Sequence, residues 1–128
     1  MGNIQSNIYN YNYNFEKMQE HIKNKSIIIN TLDSNNQECL ISGTTSIEDE
    51  IKLLNAYLKT NKTILIIIYG KNNSDSSVIK KYKQLQSLGF TNIALYLGGL
   101  FEWLLLQDIF GYENFPTTTK TIDILKYK

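Results

Sequence analysis

Thr63-Ile64-Leu65-Ile66-Ile67-Ile68-Tyr69 is the stretch that decides the fold. It is mostly β-branched, which favours extended backbone. It shows no apolar–polar alternation, so neither of its faces is built for water. That pattern predicts a central strand of a parallel sheet, covered by helices on both faces. Ser26–Thr31, with Ile27, Ile28 and Ile29 in a row, and Ile93–Leu97 repeat it. The segments between these runs carry helical period. Asn14 caps a helix whose Phe15, Met18 and Ile22 share a face, ending near Lys25. Thr45 and Ser46 precede Glu48 and Asp49 at capping-box spacing, and Ile47, Ile51, Leu54 and Leu58 mark the next helical face. Val78, Tyr82, Leu85 and Leu88 mark a third, closed by Gly89. Gly98-Gly99 turns the chain into an apolar helix, Leu100–Gln107, broken by Gly111–Pro116. The fold class is α/β, with three layers and a mainly parallel sheet between helices. Ligands in such folds sit beyond the carboxyl ends of the strands. The Gly70–Asp75 loop (GKNNSD) lies at such an end.

Composition bounds the function. The chain has 128 residues, 42% hydrophobic and 20% charged, which is one globular domain. Its 13 basic residues are all Lys and face 12 acidic ones. A nucleic-acid binder shows a basic excess and uses Arg forks, so no nucleic-acid partner is expected. One cysteine, Cys39, excludes an internal disulfide framework and a multi-cysteine zinc site, and His21 is the single histidine. No metal and no cofactor are expected. There is no secretory signal and no membrane-length apolar run, so the expected location is cytoplasmic. Heavy use of Ile, Asn, Lys and Tyr points to an AT-rich genome, that of a protist or a large DNA virus.

Three parts are expected: an arm over 1–14, a domain over 15–116 and a tail over 117–128. In the arm Asn alternates with Tyr9, Tyr11 and Tyr13, which suits either a flexible segment or an edge strand. Met1-Gly2-Asn3-Ile4-Gln5-Ser6 fits the N-myristoylation pattern, with Gly2 as acceptor. One acyl chain binds membrane only marginally, and residues 1–16 contain no Lys to assist it. Membrane contact is therefore expected to be weak and conditional on that modification. It would make the protein peripheral to a membrane, or place it in a virion if the source is viral. In the tail, Ile122, Ile124 and Leu125 are candidates to pack back. Phe115–Thr119 reads as a simple exit from the fold, a binding segment being the other reading.

From about Ser26 to Gln107 the chain resembles rhodanese-like domains. Ile28-Ile29-Asn30-Thr31-Leu32 is similar to the family's first strand, with Asn30 and Leu32 where the family has Asp and Arg. Cys39-Leu40-Ile41-Ser42-Gly43-Thr44 resembles the family's Gly-His-Ile-Pro-Gly-Ala segment, keeping the Ile and the second Gly. Thr63–Tyr69, the Gly70 loop, Gly89-Phe90, Ile93–Leu97 and Gly98-Gly99-Leu100-Phe101-Glu102-Trp103 follow in the family's order. The resemblance implies a rhodanese-like fold and a sulfur-transfer site in the loop after the central strand. In active members that loop opens with a Cys that carries a persulfide, its charge held by loop amides and a helix N-terminus. Here the place falls on Gly70, and no residue from Gly70 to Ser77 is Cys. Sulfur transfer needs a thiolate. The resemblance therefore implies a non-catalytic domain, a binding, scaffold or regulatory module for an unidentified protein partner. The alternative is a sulfurtransferase with an atypical nucleophile or anion-binding loop. The oligomeric state is open.

Each candidate residue has two readings. Gly70, Lys71, Asn72, Asn73, Ser74, Asp75 and Ser76, with Ser77, either hold an anion on loop amides or form a solvated turn capped by Asp75 or Ser74. Asp75 opposes the anion by its charge. Cys39 reads as a small buried hydrophobe rather than a substitute nucleophile. His21 reads as a surface residue. Trp103 and Phe101 read as packing under the loop, an exposed Trp at a partner interface being the other reading.

Overall fold

The computed structural model describes residues 12–128. The Gly2 motif, Tyr9 and Tyr11 lie outside the described residues. Helix α1 spans Phe15–Lys23, and the Asn14 side chain accepts from the Lys17 N–H at 2.9 Å. Strand β1 is Ile27–Asn30, followed by a 3-10 turn over Ser34–Asn36. Helix α2 spans Ile47–Thr60 and starts on Ser46, whose Oγ accepts from the Asp49 N–H. Strand β2 is Ile66–Tyr69 and helix α3 is Ser77–Leu88. Gly89, at φ 113°, ends α3. Its N–H reaches Gln86 O and that of Phe90 reaches Leu85 O, the paired bonds of a Schellman motif. Strand β3 is Ile93–Tyr96 and helix α4 is Gly99–Phe110.

The three strands pair in parallel in the order β1-β2-β3, with Ile67 opposite both Ile28 and Ala94. A single parallel bridge extends each edge, Thr44 beside Ile28 and Asn12 beside Leu95. The strand period of two sorts the core into two layers. Ile28, Ile67, Tyr69, Ala94 and Tyr96 pack against Met18 of α1 and Leu100, Trp103 and Leu104 of α4. Ile29, Ile66, Ile68, Ile93 and Leu95 pack against Leu54 of α2 and Val78, Tyr82 and Leu85 of α3. Both faces of β2 are covered, which is why its sequence does not alternate. Among the described residues no helix is long and apolar enough to cross a membrane.

Several expected contacts differ. Ile51 is 68% exposed. The helical period is right, but the buried line of α2 runs through Glu50 and Leu54, because Glu50 turns inward to Lys81 on α3 at 2.8 Å. Leu88 is exposed because α3 ends there. Ile122 and Leu125 are exposed as well, Ile124 is partly buried, and Tyr127 is the residue that packs back into the core. Phe115–Thr119 is no simple exit. Phe115 and Thr117 are buried, and the Trp103 Nε1–H donates to Pro116 O at 3.1 Å. His21 is half-buried, stacked on Tyr13 at 5.3 Å and bonded through Nδ1 to Ser26 Oγ at 2.8 Å.

Ile67 and Trp103 are fully buried in one cluster. Ile67→Ala should lower stability by about 2–5 kcal/mol and Trp103→Ala by about 3–5, whereas Ile51→Ala should stay within about 0.5. Urea unfolding of the three variants checks this. Equal midpoints would misplace the core.

Candidate functional site at the end of the central strand

The site is built where β2 stops. Gly70 is buried and opens the loop to α3. Helix α4 begins against this loop. The Leu100 N–H donates to Gly70 O and the Phe101 N–H to Lys71 O, both at 2.9 Å. These are orphan amides of a helix start, and the loop carbonyls satisfy them. The approach requires Gly99, at φ 70°. A Cβ there would lie 2.8 Å from Gly70 O and 2.9 Å from Asn72 N.

Two of the loop amides turn to one acceptor within the loop. Asp75 Oδ2 accepts from the Lys71 N–H at 2.9 Å. Asp75 Oδ1 accepts from the Ser77 N–H at 3.0 Å and from Ser77 Oγ–H at 2.6 Å. Ser77 Oγ also lies 2.7 Å from Thr31 Oγ1, which ties the loop to the end of β1. Asn72 Oδ1 accepts from the Ser74 N–H at 2.9 Å. Partial burial pushes the Asp75 carboxyl up, but the hydrogen bonds from Lys71 and Ser77 outweigh it and hold the group below its ordinary value. Asp75 is thus a carboxylate at neutral pH. It lies at the start of α3, where the exposed amides and the helix dipole favour negative charge.

Position 70 has no room for a side chain. A Cβ on Gly70 would come within 2.6 Å of both Asp75 Oδ2 and Val78 Cγ2, and within 2.9 Å of Thr31 Oγ1. The carboxylate fills the space a residue-70 side chain would enter. A groove of about 410 Å³ opens between the loop and the segment after β1, lined by Thr31, Asp33, Asn36, Lys71, Ser74 and Ser76. Asn73 is exposed.

Asn30 and Leu32 sit beside this groove. Asn30 is buried and exchanges two hydrogen bonds with Gln37, at 3.1 and 2.8 Å, and its Oδ1 accepts from the Leu32 N–H. A neutral amide pair occupies this end of β1. Cys39 is 1% exposed and its Sγ–H donates to Thr119 O at 3.4 Å. Trp103 is core, and Phe101 is packed against that core. Among the described residues no His, Cys, Asp or Glu side chains gather in a metal-ligating group. Ser77, already named with the loop, belongs to the site, and so do Thr31 and Gln37, which residue type alone did not single out.

A family model of the rhodanese-like domain matches residues 11–106. The chain belongs to the rhodanese-like domain family. Solved structures share the fold. A full-length protein from Lactobacillus plantarum is 14% identical, covers 92% of this chain and 95% of its own, and superposes with a TM-score of 0.66. The BH2092 protein from Bacillus halodurans is 20% identical over 87% and 84% of the two chains, with a TM-score of 0.61. The rhodanese-like domain of the Alr3790 protein from Anabaena sp. is 21% identical over 86% and 80%, with a TM-score of 0.58. A search of curated proteins gives no match. This rhodanese-like domain therefore has the fold of its relatives, with Gly70 at the head of the loop after the central strand.

Two outcomes follow for the loop. Gly70→Ala should lower stability by about 1–3 kcal/mol through overpacking, read as a urea midpoint. Asp75 has a folded pKa below its unfolded value of 3.8, so its contribution is full above that value and is lost as pH falls through the folded one. The midpoint gap between the wild type and Asp75→Asn should be widest near pH 7 and close below about pH 4. A gap independent of pH would show that the charge is not what the amides hold.

Proposed function

We propose that this protein is a rhodanese-like domain without sulfurtransferase activity, acting as a binding module for a protein partner. One observation carries the reading: the Asp75 carboxylate occupies two of the loop amides, those of Lys71 and Ser77, and the space over Gly70. Sulfur transfer in this fold needs a thiolate at the head of the loop and amides free to hold its charge. Here the head residue has no side chain, and an internal anion already holds the Lys71 and Ser77 amides. An external oxyanion would have to displace a carboxylate of like charge. Cys39, the one thiol of the chain, is buried outside the loop. A binding role draws support from α4. Its buried face is Leu100, Trp103 and Leu104, yet Leu105, Ile109 and Phe110 are also apolar and are exposed. Scattered exposed apolar residues are ordinary, but three on one helix with Tyr112 beyond it form area that a partner can cover.

The purified protein should turn over thiosulfate and cyanide no faster than buffer, and Cys39→Ala should leave that background unchanged. Thiosulfate should not raise the melting temperature beyond the effect of an equal ionic strength of chloride. Turnover that vanishes in Cys39→Ala would overturn the non-catalytic reading.

A further inference from the structure

The last residues form an element that the loop chemistry leaves unexplained. After Phe115 the chain runs antiparallel to residues 38–42. The Thr118 N–H donates to Leu40 O at 2.8 Å, and the Leu40 N–H to Thr118 Oγ1 at 3.0 Å. Thr119 Oγ1 donates to Glu38 O at 2.8 Å. Most residues from 118 to 126 are then exposed, Ile122 fully so. A 3-10 turn over Ile124–Tyr127 brings the chain back. Tyr127 is 1% exposed and joins the cluster that holds Cys39, Tyr69, Leu100 and Leu104.

The two ends of this span are held unequally. Thr117 is buried at the near end, within the hydrogen bonds of residues 38–42. The far end rests on the Tyr127 ring, on Ile124 packed at the edge of the same core, and on two polar contacts. Asn72 Nδ2–H donates to Tyr127 O at 3.1 Å, and Lys126 Nζ meets Glu38 Oε1 at 2.6 Å on an exposed edge. An exposed ion pair and one neutral hydrogen bond hold weakly. A segment with few buried contacts opens at lower free energy than the sheet it covers.

The two ends together cover something. Thr119 O accepts from the Cys39 thiol, and Tyr127 packs in the same cluster as that sulfur. Asn72 belongs to the Gly70 loop, where its Oδ1 holds the Ser74 N–H while its Nδ2 holds Tyr127. One side chain therefore serves both the loop and the tail.

We propose that residues 119–128 are a latch: Tyr127 is its plug, and its release exposes the Cys39 thiol and frees Asn72 while the sheet stays folded. The proposal stands apart from the question of catalysis. It assigns no chemistry to Cys39, which serves as the reporter.

The test is thiol labelling of the 128-residue chain with a water-soluble aromatic disulfide across low urea concentrations. Each event forms one mixed disulfide and releases one aromatic thiolate, read by absorbance. A local opening exposes little surface, so its rate depends weakly on urea, whereas global unfolding gives the full slope of the equilibrium transition. Wild-type labelling should be nearly flat in low urea and at least about tenfold faster than global unfolding permits. Tyr127→Ala should raise the rate at least about tenfold further after correction for its own unfolding equilibrium. Lys126→Glu, which sets like charge against Glu38 on the surface and leaves the core intact, should raise it about two- to fivefold. Wild-type labelling that follows the global slope throughout overturns the latch. So do corrected rates that are unchanged in both variants.

Discussion

The contact on which this structure depends is the meeting of two backbones, Gly99 against Gly70. The first amides of α4 donate to the carbonyls of Gly70 and Lys71, so the end of β2 and the start of α4 satisfy each other. The closeness excludes a Cβ on Gly99, and the Asp75 carboxylate excludes one on Gly70. The contact fixes the direction in which α4 leaves the sheet. That direction brings Leu100, Trp103 and Leu104 over Tyr69 and Tyr96, and the layer that also receives Met18 and Tyr127 is built on it. It fixes the loop carbonyls as well, and so sets where the remaining loop amides point.

Two of those amides, on Lys71 and Ser77, find their acceptor in Asp75. A loop that leads from a strand into a helix presents N–H groups and a positive dipole end, and either an anion or a capping side chain satisfies them. Asp75 does so here through both oxygens, and Ser77 bonds the carboxylate and Thr31 together. Capping and anion binding compete for the same atoms. With Asp75 in place, the Lys71 and Ser77 amides are satisfied within the loop.

Local signals in the sequence were legible, and tertiary ones were not. Asn14, Ser46 and Gly89 end their helices through bonds to residues at most four positions away, so their identities are enough. The strand runs were readable because burial on both faces leaves no polar alternation. Ile51 was misplaced because the inward place on α2 belongs to Glu50, whose partner Lys81 lies 31 residues on. Tyr127 was missed for the same reason: its seat is made by residues such as Cys39 and Leu100, and a short tail has no period to show it. At the site, the absence of Cys from Gly70 to Ser77 was plain in the sequence. The filled space over Gly70 was not, since it depends on how Asp75 and Val78 turn back.

The central claim is that the Asp75 carboxylate is the anion of this loop. The most direct test is an NMR titration that follows the Asp75 side-chain carboxyl together with the Lys71 and Ser77 amides. The carboxyl should titrate below the ordinary Asp range, and both amide signals should shift with the same midpoint. A carboxyl that titrates at its ordinary value, with the Lys71 and Ser77 amides unmoved, would contradict the account.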